Sequence, residues 1–106
     1  MAALAFGIAG CKPLPPSKDP SLFTAEEAQG AEVYRVYCAR CHYPTTTQGL
    51  KGPGLQALTK VKAMPSGAPP TDERLTQTIK YGHGMMPATQ ISDDDLQPLL
   101  AYLKTL

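Results

Sequence analysis

The chain has 106 residues and a formal net charge of +1, which allows one small domain and excludes most multi-domain enzymes and the strongly basic nucleic-acid-binding proteins. No apolar stretch reaches the roughly 18 residues that span a bilayer. Trp is absent and aromatic residues make up 7% of the chain, so we expect a staple or a bound group to complete so small a core.

The N-terminal residues are predicted to be a targeting segment. Residues 2–10 form a short uncharged apolar run that ends in small residues, as secretory signals do. The tetrapeptide Ile8-Ala9-Gly10-Cys11 resembles the bacterial lipobox, whose cysteine is acylated and becomes the new N-terminus, held at a membrane surface. We therefore expect residues 1–10 to be a signal-peptide remnant and Cys11 to carry lipid; the alternative is an apolar tail with an incidental cysteine. Residues 11–22 then form a Pro-rich tether of polyproline type.

A first helix is predicted to begin after Thr24. Thr24 can cap the N–H three residues on, Glu27 can reach back to Thr24, and Phe23 can pack on Ala28 as a staple. Four residues then share one helix face at spacings of four, three and four: Gly30, Tyr34, Tyr37 and Cys41.

A second helix is predicted from Asp72 to Tyr81. Thr71 is its cap, Gly82 ends it, and Leu75 and Ile79 face inward.

A third helix is predicted after the cap Ser92. Three aspartates in its first turn interact favourably with the positive end of the helix dipole, and Ile91 can pack on Leu96 as a hydrophobic staple. Its inward stripe is Leu96, Leu99, Leu100 and Leu103. Pro98 conflicts with this pattern and should kink the helix or delay its start. Leu55 and Leu58 are placed on one short turn, loops are expected at 43–53 and 60–71, and no run alternates as a strand would. The sequence therefore predicts an all-α domain over residues 23–106.

The chemistry is concentrated in Cys38-Ala39-Arg40-Cys41-His42. Two thiols at this spacing can add across the two vinyl groups of one haem, and a following His is then held against the iron, so C-x-x-C-H is the attachment signature of c-type haem. A redox-active pair would open a helix in a βαβ setting. A zinc site would need two ligands besides the cysteines at metal spacing, and only His42 and His83 remain to supply them. A plain disulfide is the third alternative. The sequence favours covalent haem.

A second axial ligand is offered by Gly82-His83-Gly84-Met85-Met86-Pro87. Met sulfur with His nitrogen is the ligand pair of electron-transfer cytochromes and raises their potential. Met86, Met85, His83 and Met64 are the candidates; isolated methionines are more often gap fillers than ligands.

Residues 24–106 resemble a small monohaem class I cytochrome c, with three main helices around one haem. The pairing of Gly30 and Tyr34 with Tyr102 matches that family's contact between its first and last helices. Its Gly-Pro-x-Leu segment matches Gly52-Pro53-Gly54-Leu55.

The resemblance implies specific roles for four parts of the site. The ligand Met of the family directly precedes a Pro, which favours Met86, so His42 and Met86 would ligate the iron. Cys38 and Cys41 would carry the haem, and the carbonyl of Pro53 would orient His42. His42 as an ordinary core histidine is the alternative.

The surface residues are less specific. Lys51, Lys60 and Lys62 could steer an acidic partner, although an ordinary solvated face is the more frequent case. Candidates to bind the haem propionates are Tyr43, Tyr81 and Arg74.

We therefore expect a lipid-anchored monohaem electron carrier, not an enzyme, in the bacterial periplasm or at the outer face of the cytoplasmic membrane. It would take electrons from a quinol-oxidising complex or dehydrogenase and pass them to an oxidase or reaction centre. One alternative is a fixed subunit of a respiratory or photosynthetic complex. Another is a peroxidase or gas sensor with a displaceable Met ligand.

Overall fold

Three α-helices form most of the regular structure of residues 13–106. The computed structural model describes residues 13–106, in which α1 spans Ala25–Tyr37, α2 spans Asp72–Tyr81 and α3 spans Asp93–Leu103. A 3-10 turn at Pro20–Leu22 precedes α1, and no strand occurs within the described range. The predicted all-α class is confirmed. The predicted signal remnant and Cys11 lie outside the described residues. None of the helices in residues 13–106 has the length and apolar character needed to cross a bilayer.

Each helix begins at the residue that its capping pattern predicts. The side-chain oxygens of Thr24, Thr71 and Ser92 accept hydrogen bonds from backbone N–H groups three residues further on. At Thr24 the box is complete, because the Glu27 carboxylate accepts the Thr24 N–H at 2.9 Å. These bonds satisfy N–H groups that have no partner inside a helix. Gly82 ends α2 with a φ of 80°, which glycine adopts without strain.

α1 ends earlier than the predicted face requires. Its last residue is Tyr37, and Cys41 lies in the turn beyond it. The N–H groups of Cys38 and Ala39 both donate to the carbonyl of Tyr34, at 2.8 and 3.1 Å. The second bond spans five residues instead of four, so the regular ladder of helical hydrogen bonds ends here. Tyr37 is exposed, so the predicted face through Tyr37 and Cys41 is wrong. The residues of α1 that are buried are Gly30, Val33 and Tyr34.

α1 and α3 cross at Gly30. A Cβ atom there would lie 2.6 Å from the carbonyl carbon of Pro98 and 2.7 Å from Cβ of Tyr102, and closer still to the Pro98 oxygen. Only glycine lets the two backbones approach this closely. Beside the crossing, the rings of Tyr34 and Tyr102 lie 5.3 Å apart between centroids, within the range of favourable aromatic pairs.

Phe23 connects the start of α1 to α3. Its ring packs edge-on against Tyr102, with centroids 5.9 Å apart. Ala28, the staple partner predicted for it, is exposed. The aromatic contact thus extends the α1–α3 interface to the residue before the helix cap.

α3 runs unbroken through Pro98. It begins at Asp93, so a delayed start is excluded, while the kink stays a prediction. Proline removes one helical hydrogen bond, to the carbonyl four residues earlier; that residue, Asp94, is exposed, so water can satisfy its carbonyl. The whole predicted stripe is buried, with Leu99 completely covered. The buried stripe consists of Leu96, Leu99, Leu100 and Leu103.

Residues 13–22, the described part of the predicted tether, are held against the domain at several points. The N–H of Lys18 donates to the carbonyl of Thr105 at 2.7 Å, and its ammonium donates to Glu27 at 2.7 Å. The carbonyl of Pro15 accepts from the Gln56 side chain at 3.2 Å. This segment therefore connects α1 with the residues that follow α3 and with the turn after Leu55.

Candidate functional site

The turn after α1 brings both cysteines and the histidine to one wall. The N–H groups of Cys41 and His42 donate to the carbonyl of Cys38 at 3.0 and 3.1 Å. The N–H of Gly52 returns to the carbonyl of Cys41 at 2.7 Å. Cys38 and Cys41 are half-buried and both are free thiols. This hydrogen-bonded turn presents two thiols and an imidazole to the same space.

The His42 ring is oriented by a main-chain oxygen. Its Nδ1 lies 2.7 Å from the carbonyl oxygen of Pro53. A carbonyl can only accept, so this contact assigns the proton to Nδ1 and leaves the lone pair on Nε2. Gly52 packs against the ring, where a Cβ would come within 2.9 Å of Nδ1. The hydroxyl of Tyr34 donates to the carbonyl of His42 at 2.7 Å, which fixes its backbone from the other side.

Residues 83–86 form a tight two-residue turn. His83 and Met86 exchange both backbone hydrogen bonds, at 3.0 and 2.9 Å. Gly84 takes a φ of 57°, as the first central residue of a type II′ turn requires. A Cβ on Gly82 would collide with the backbone of Met86 and Pro87. The two glycines, at 82 and 84, therefore allow the backbone path that carries Met86.

These elements enclose one large, mostly apolar cavity of about 680 Å³. That volume lies within the range of sites for ligands and cofactors. Its apolar walls come from α2, α3 and the long loops, and the functional candidates line the same space. The apolar lining consists of Pro53, Leu55, Leu58, Met64, Leu75, Ile79, Pro87 and Leu103. Cys38, Cys41, His42 and Met86 line it as well, so the donor set and the apolar walls fit a covalently held, flat apolar group such as haem.

The four candidates for the second ligand differ in burial. Met64 is buried in the core, as a gap filler should be, and Met85 is completely exposed. His83 is exposed and Met86 is half-buried. All four touch the cavity. Met86 alone combines the fixed turn with partial burial at the cavity wall.

The thiols are poorly suited to the alternatives. Burial, with a smaller contribution from the charge of Cys41, raises the pKa of Cys38 to about 11. A redox-active pair needs a lowered thiol pKa, so thiolate chemistry is disfavoured. Within residues 13–106 no three His, Cys, Asp or Glu side chains are grouped as a metal site, which removes the support for structural zinc.

Of the residues predicted to be peripheral, Lys51 lines the large cavity, whereas the ammonium of Lys60 donates to the main-chain oxygen of Leu106 at 3.0 Å. Arg74 and Tyr81 line a smaller polar cavity beside the large one, and Tyr43 lines neither.

Sequence reasoning missed two contacts on His42. These are the packing of Gly52 against the His42 ring and the hydrogen bond from the Tyr34 hydroxyl. In the sequence, only the Gly52–Pro53 pair indicates the Gly52 contact, and nothing indicates the Tyr34 bond.

The fold and the site together define a c-type cytochrome domain. A family model described as "Cytochrome C oxidase, cbb3-type, subunit III" matches residues 25–103. The chain belongs to this family of cytochrome c domains. It is also similar to a cytochrome c6 from Picosynechococcus sp., with 32% identity over 90 residues that cover 76% of this chain and 74% of the relative.

Family membership establishes the general activity. The chain is a small class I cytochrome c that carries covalently bound haem c and transfers electrons; it is not an enzyme. It works with redox protein partners. The predicted family, fold, cofactor type and general function are thereby confirmed.

Proposed function

We propose that one haem c is attached through Cys38 and Cys41 and that its iron is ligated by His42 and Met86. The observation that carries this proposal is that a histidine with a free Nε2 lone pair and the fixed Met86 turn, distant in sequence, line the same apolar cavity. When bound, the haem supplies reversible one-electron exchange at its iron, at a potential raised by a Met ligand.

The neighbouring residues orient the ligands. Pro53 keeps the proton on Nδ1 of His42 and thereby directs Nε2 as the donor; such outer hydrogen bonds fix the ring and tune the ligand. Gly82 and Gly84 set the turn that presents Met86. With His42 and Met86 holding the iron, this protein would pass electrons without binding a substrate at the metal.

We propose that the protein carries electrons between membrane redox complexes. A quinol-oxidising complex or dehydrogenase is the proposed donor, and an oxidase or reaction centre is the proposed acceptor. We place the protein at the outer face of a bacterial membrane or in the periplasm. The proposed anchor is lipid on Cys11 after removal of residues 1–10, with residues 11–22 as the link to the domain at 23–106.

One observation favours a second candidate function. The matching family is described as a subunit of an oxidase, which supports a fixed subunit instead of a free shuttle. Membranes solubilised in mild detergent separate the two by size exclusion. A shuttle elutes alone as a small haem protein, whereas a fixed subunit elutes in constant ratio with a large complex.

Lipid attachment is tested by mass spectrometry of the protein purified from membranes. The expected product begins at Cys11 and carries acyl chains, and Cys11→Ser should be recovered from the soluble fraction. An unmodified Cys11 in a membrane-bound protein would contradict the anchor without affecting the haem proposal.

The ligand assignment is tested with Met86→Ala and its matched control, Met85→Ala. Both variants should retain covalent haem in a denaturing gel stained for haem. Only Met86→Ala should lose the weak red charge-transfer band of Fe(III) bound to a thioether. Loss of that band in Met85→Ala instead would transfer the role to Met85, and rapid CO binding by the reduced wild type would favour the gas sensor.

A further inference from the structure

A polar cavity adjoins the apolar one. Its volume is about 430 Å³. Ser66, Thr78 and His83 line both cavities, so the two spaces meet at these residues. The rest of the polar lining includes Arg74, Gln77 and Tyr81. Electron transfer through His42 and Met86 gives none of these polar side chains a role.

Arg74 supplies the positive charge on the lining of this polar cavity. The surface lysines and arginine that form ion pairs do so with carboxylates 2.7–3.0 Å away. Arg74 has no carboxylate partner among residues 13–106, and no Asp or Glu lines the polar cavity. The cavity therefore presents hydroxyl, amide and guanidinium donors without an acceptor charge.

The attachment at the cysteines gives the haem a direction. In haem c the two pyrroles bonded to cysteine lie on one edge of the ring, and the two that bear propionate carboxylates lie on the opposite edge. Bonds from Cys38 and Cys41 would therefore direct the carboxylates away from the cysteine wall. A carboxylate that enters a protein without a hydrogen-bond partner costs several kcal/mol, so these groups need a polar exit.

Among the described residues, the large cavity also has Lys51 on its lining, but Lys51 is near the cysteines and not near the polar cavity. The N–H of Gly52, its neighbour, donates to the carbonyl of Cys41 at 2.7 Å. Gly52 also packs on the ring of His42. Lys51 thus belongs to the cysteine wall, whereas Arg74 and Thr78 are on α2 and Ser66 is in the long loop before α2.

We propose that the polar cavity receives the haem carboxylates, with Arg74 as their counter-ion and the hydroxyls of Ser66 and Thr78 as hydrogen-bond donors. A guanidinium pairs with carboxylates in a planar, two-point geometry. This inference rests on the haem attachment proposed above. Arg74 acts here as a cofactor-positioning residue, which also offsets negative charge near the iron and so raises the reduction potential.

The test is Arg74→Gln, with Lys51→Gln as the matched control. Both remove one exposed positive charge from a cavity lining, and neither side chain forms an ion pair with a described carboxylate, so both variants should fold. The direct measurement is redox-difference infrared spectroscopy of holoprotein whose propionate carboxylates carry ¹³C. Arg74→Gln should shift the labelled carboxylate bands, and Lys51→Gln should leave them in place.

The midpoint potential supplies a second measurement. Loss of the Arg74 charge should lower the reduction equilibrium constant roughly three- to tenfold, a fall of about 28–59 mV for one electron. Arg74→Lys should restore most of the potential, but it should still alter the infrared bands, because an ammonium cannot make the paired contact.

Two results would overturn the assignment. Labelled bands that do not respond to Arg74→Gln would remove Arg74 from the carboxylates, and bands that respond to Lys51→Gln would move the carboxylates to the cysteine wall. The proposed ligation is checked separately in the same samples by the haem stain and the red Fe(III)–thioether band. If both are present in the wild type while the infrared prediction fails, only the carboxylate assignment is wrong.

Discussion

Replacement of Gly30 by Ala tests the crossing on which the α1–α3 interface depends. The added methyl carbon would lie 2.6–2.7 Å from the carbonyl carbon of Pro98 and from Cβ of Tyr102. These are main-chain or near-main-chain atoms of α3, which cannot rotate away as the end of a flexible side chain can. The two helices must therefore separate.

Two opposing effects set the size of the destabilisation. Overpacking a fitted core costs about 1–3 kcal/mol, whereas Gly to Ala inside a helix stabilises by about 0.5–1 kcal/mol. Because backbone atoms block the methyl group at Gly30, the upper part of the first range applies, and we expect a net loss of about 1–2 kcal/mol. For a domain of this size that corresponds to a fall in Tm of roughly 4–15 °C.

The assay is urea unfolding of the holoprotein, followed by far-UV circular dichroism. The matched control is Gln29→Ala, a change at the exposed neighbouring position of α1, which should leave the free energy of unfolding within about 0.5 kcal/mol of wild type. If Gly30→Ala were as stable as the control, α1 and α3 would not approach each other at this residue, and the packing described above would be refuted.

Three further changes test the site and the N-terminal segment. Gly52→Ala should displace the His42 ring, because the new Cβ would come within 2.9 Å of its Nδ1; a weakened red Fe(III)–thioether band would show this, while Gly49→Ala, whose Cβ has only an ordinary contact, should not change it. Tyr34→Phe removes the 2.7 Å hydrogen bond to the carbonyl of His42 and should lower the free energy of unfolding by about 0.5–1.5 kcal/mol; an unchanged urea midpoint would argue against that bond. The hydrogen bond from Lys18, and then the Thr24 N–H, lower the pKa of Glu27. A lowered pKa stabilises the fold above the unfolded value of about 4.3 and ceases to do so as the pH falls through the folded value. Glu27→Gln should therefore be less stable than wild type at neutral pH, and the difference should vanish in acid; a constant difference across that range would contradict the ionic contribution.

Much of the secondary structure could be predicted because its signals are local. Thr24, Thr71 and Ser92 each carry a side chain that bonds a main-chain N–H three residues away, so the helix starts follow from short segments. The end of α1 could not be placed in this way. Tyr37 continues an acceptable helical spacing, yet it is exposed. The helix ends there, and the next residues form the hydrogen-bonded turn that carries Cys41.

The candidate site shows the same division. The Cys38–His42 motif is contiguous and needs no fold to be noticed, and the methionines near the C-terminal end are visible in the sequence. Which methionine lies at the cavity wall in a fixed turn depends on how residues 83–86 pair with one another. Likewise, Ala57 takes a φ of 58° in a fully buried position, a conformation that costs about 1–2 kcal/mol and that no local signal predicts.

The sequence by itself determined that this chain carries haem c on helical structure, because covalent attachment and helix capping involve residues only a few positions apart. The tertiary structure alone decided the shape of the apolar cavity, the packing of Gly52 against the His42 ring and the position of the polar cavity at Arg74. Each of these depends on close contact between segments that are distant in the chain, and such contacts follow from the packing of the whole domain.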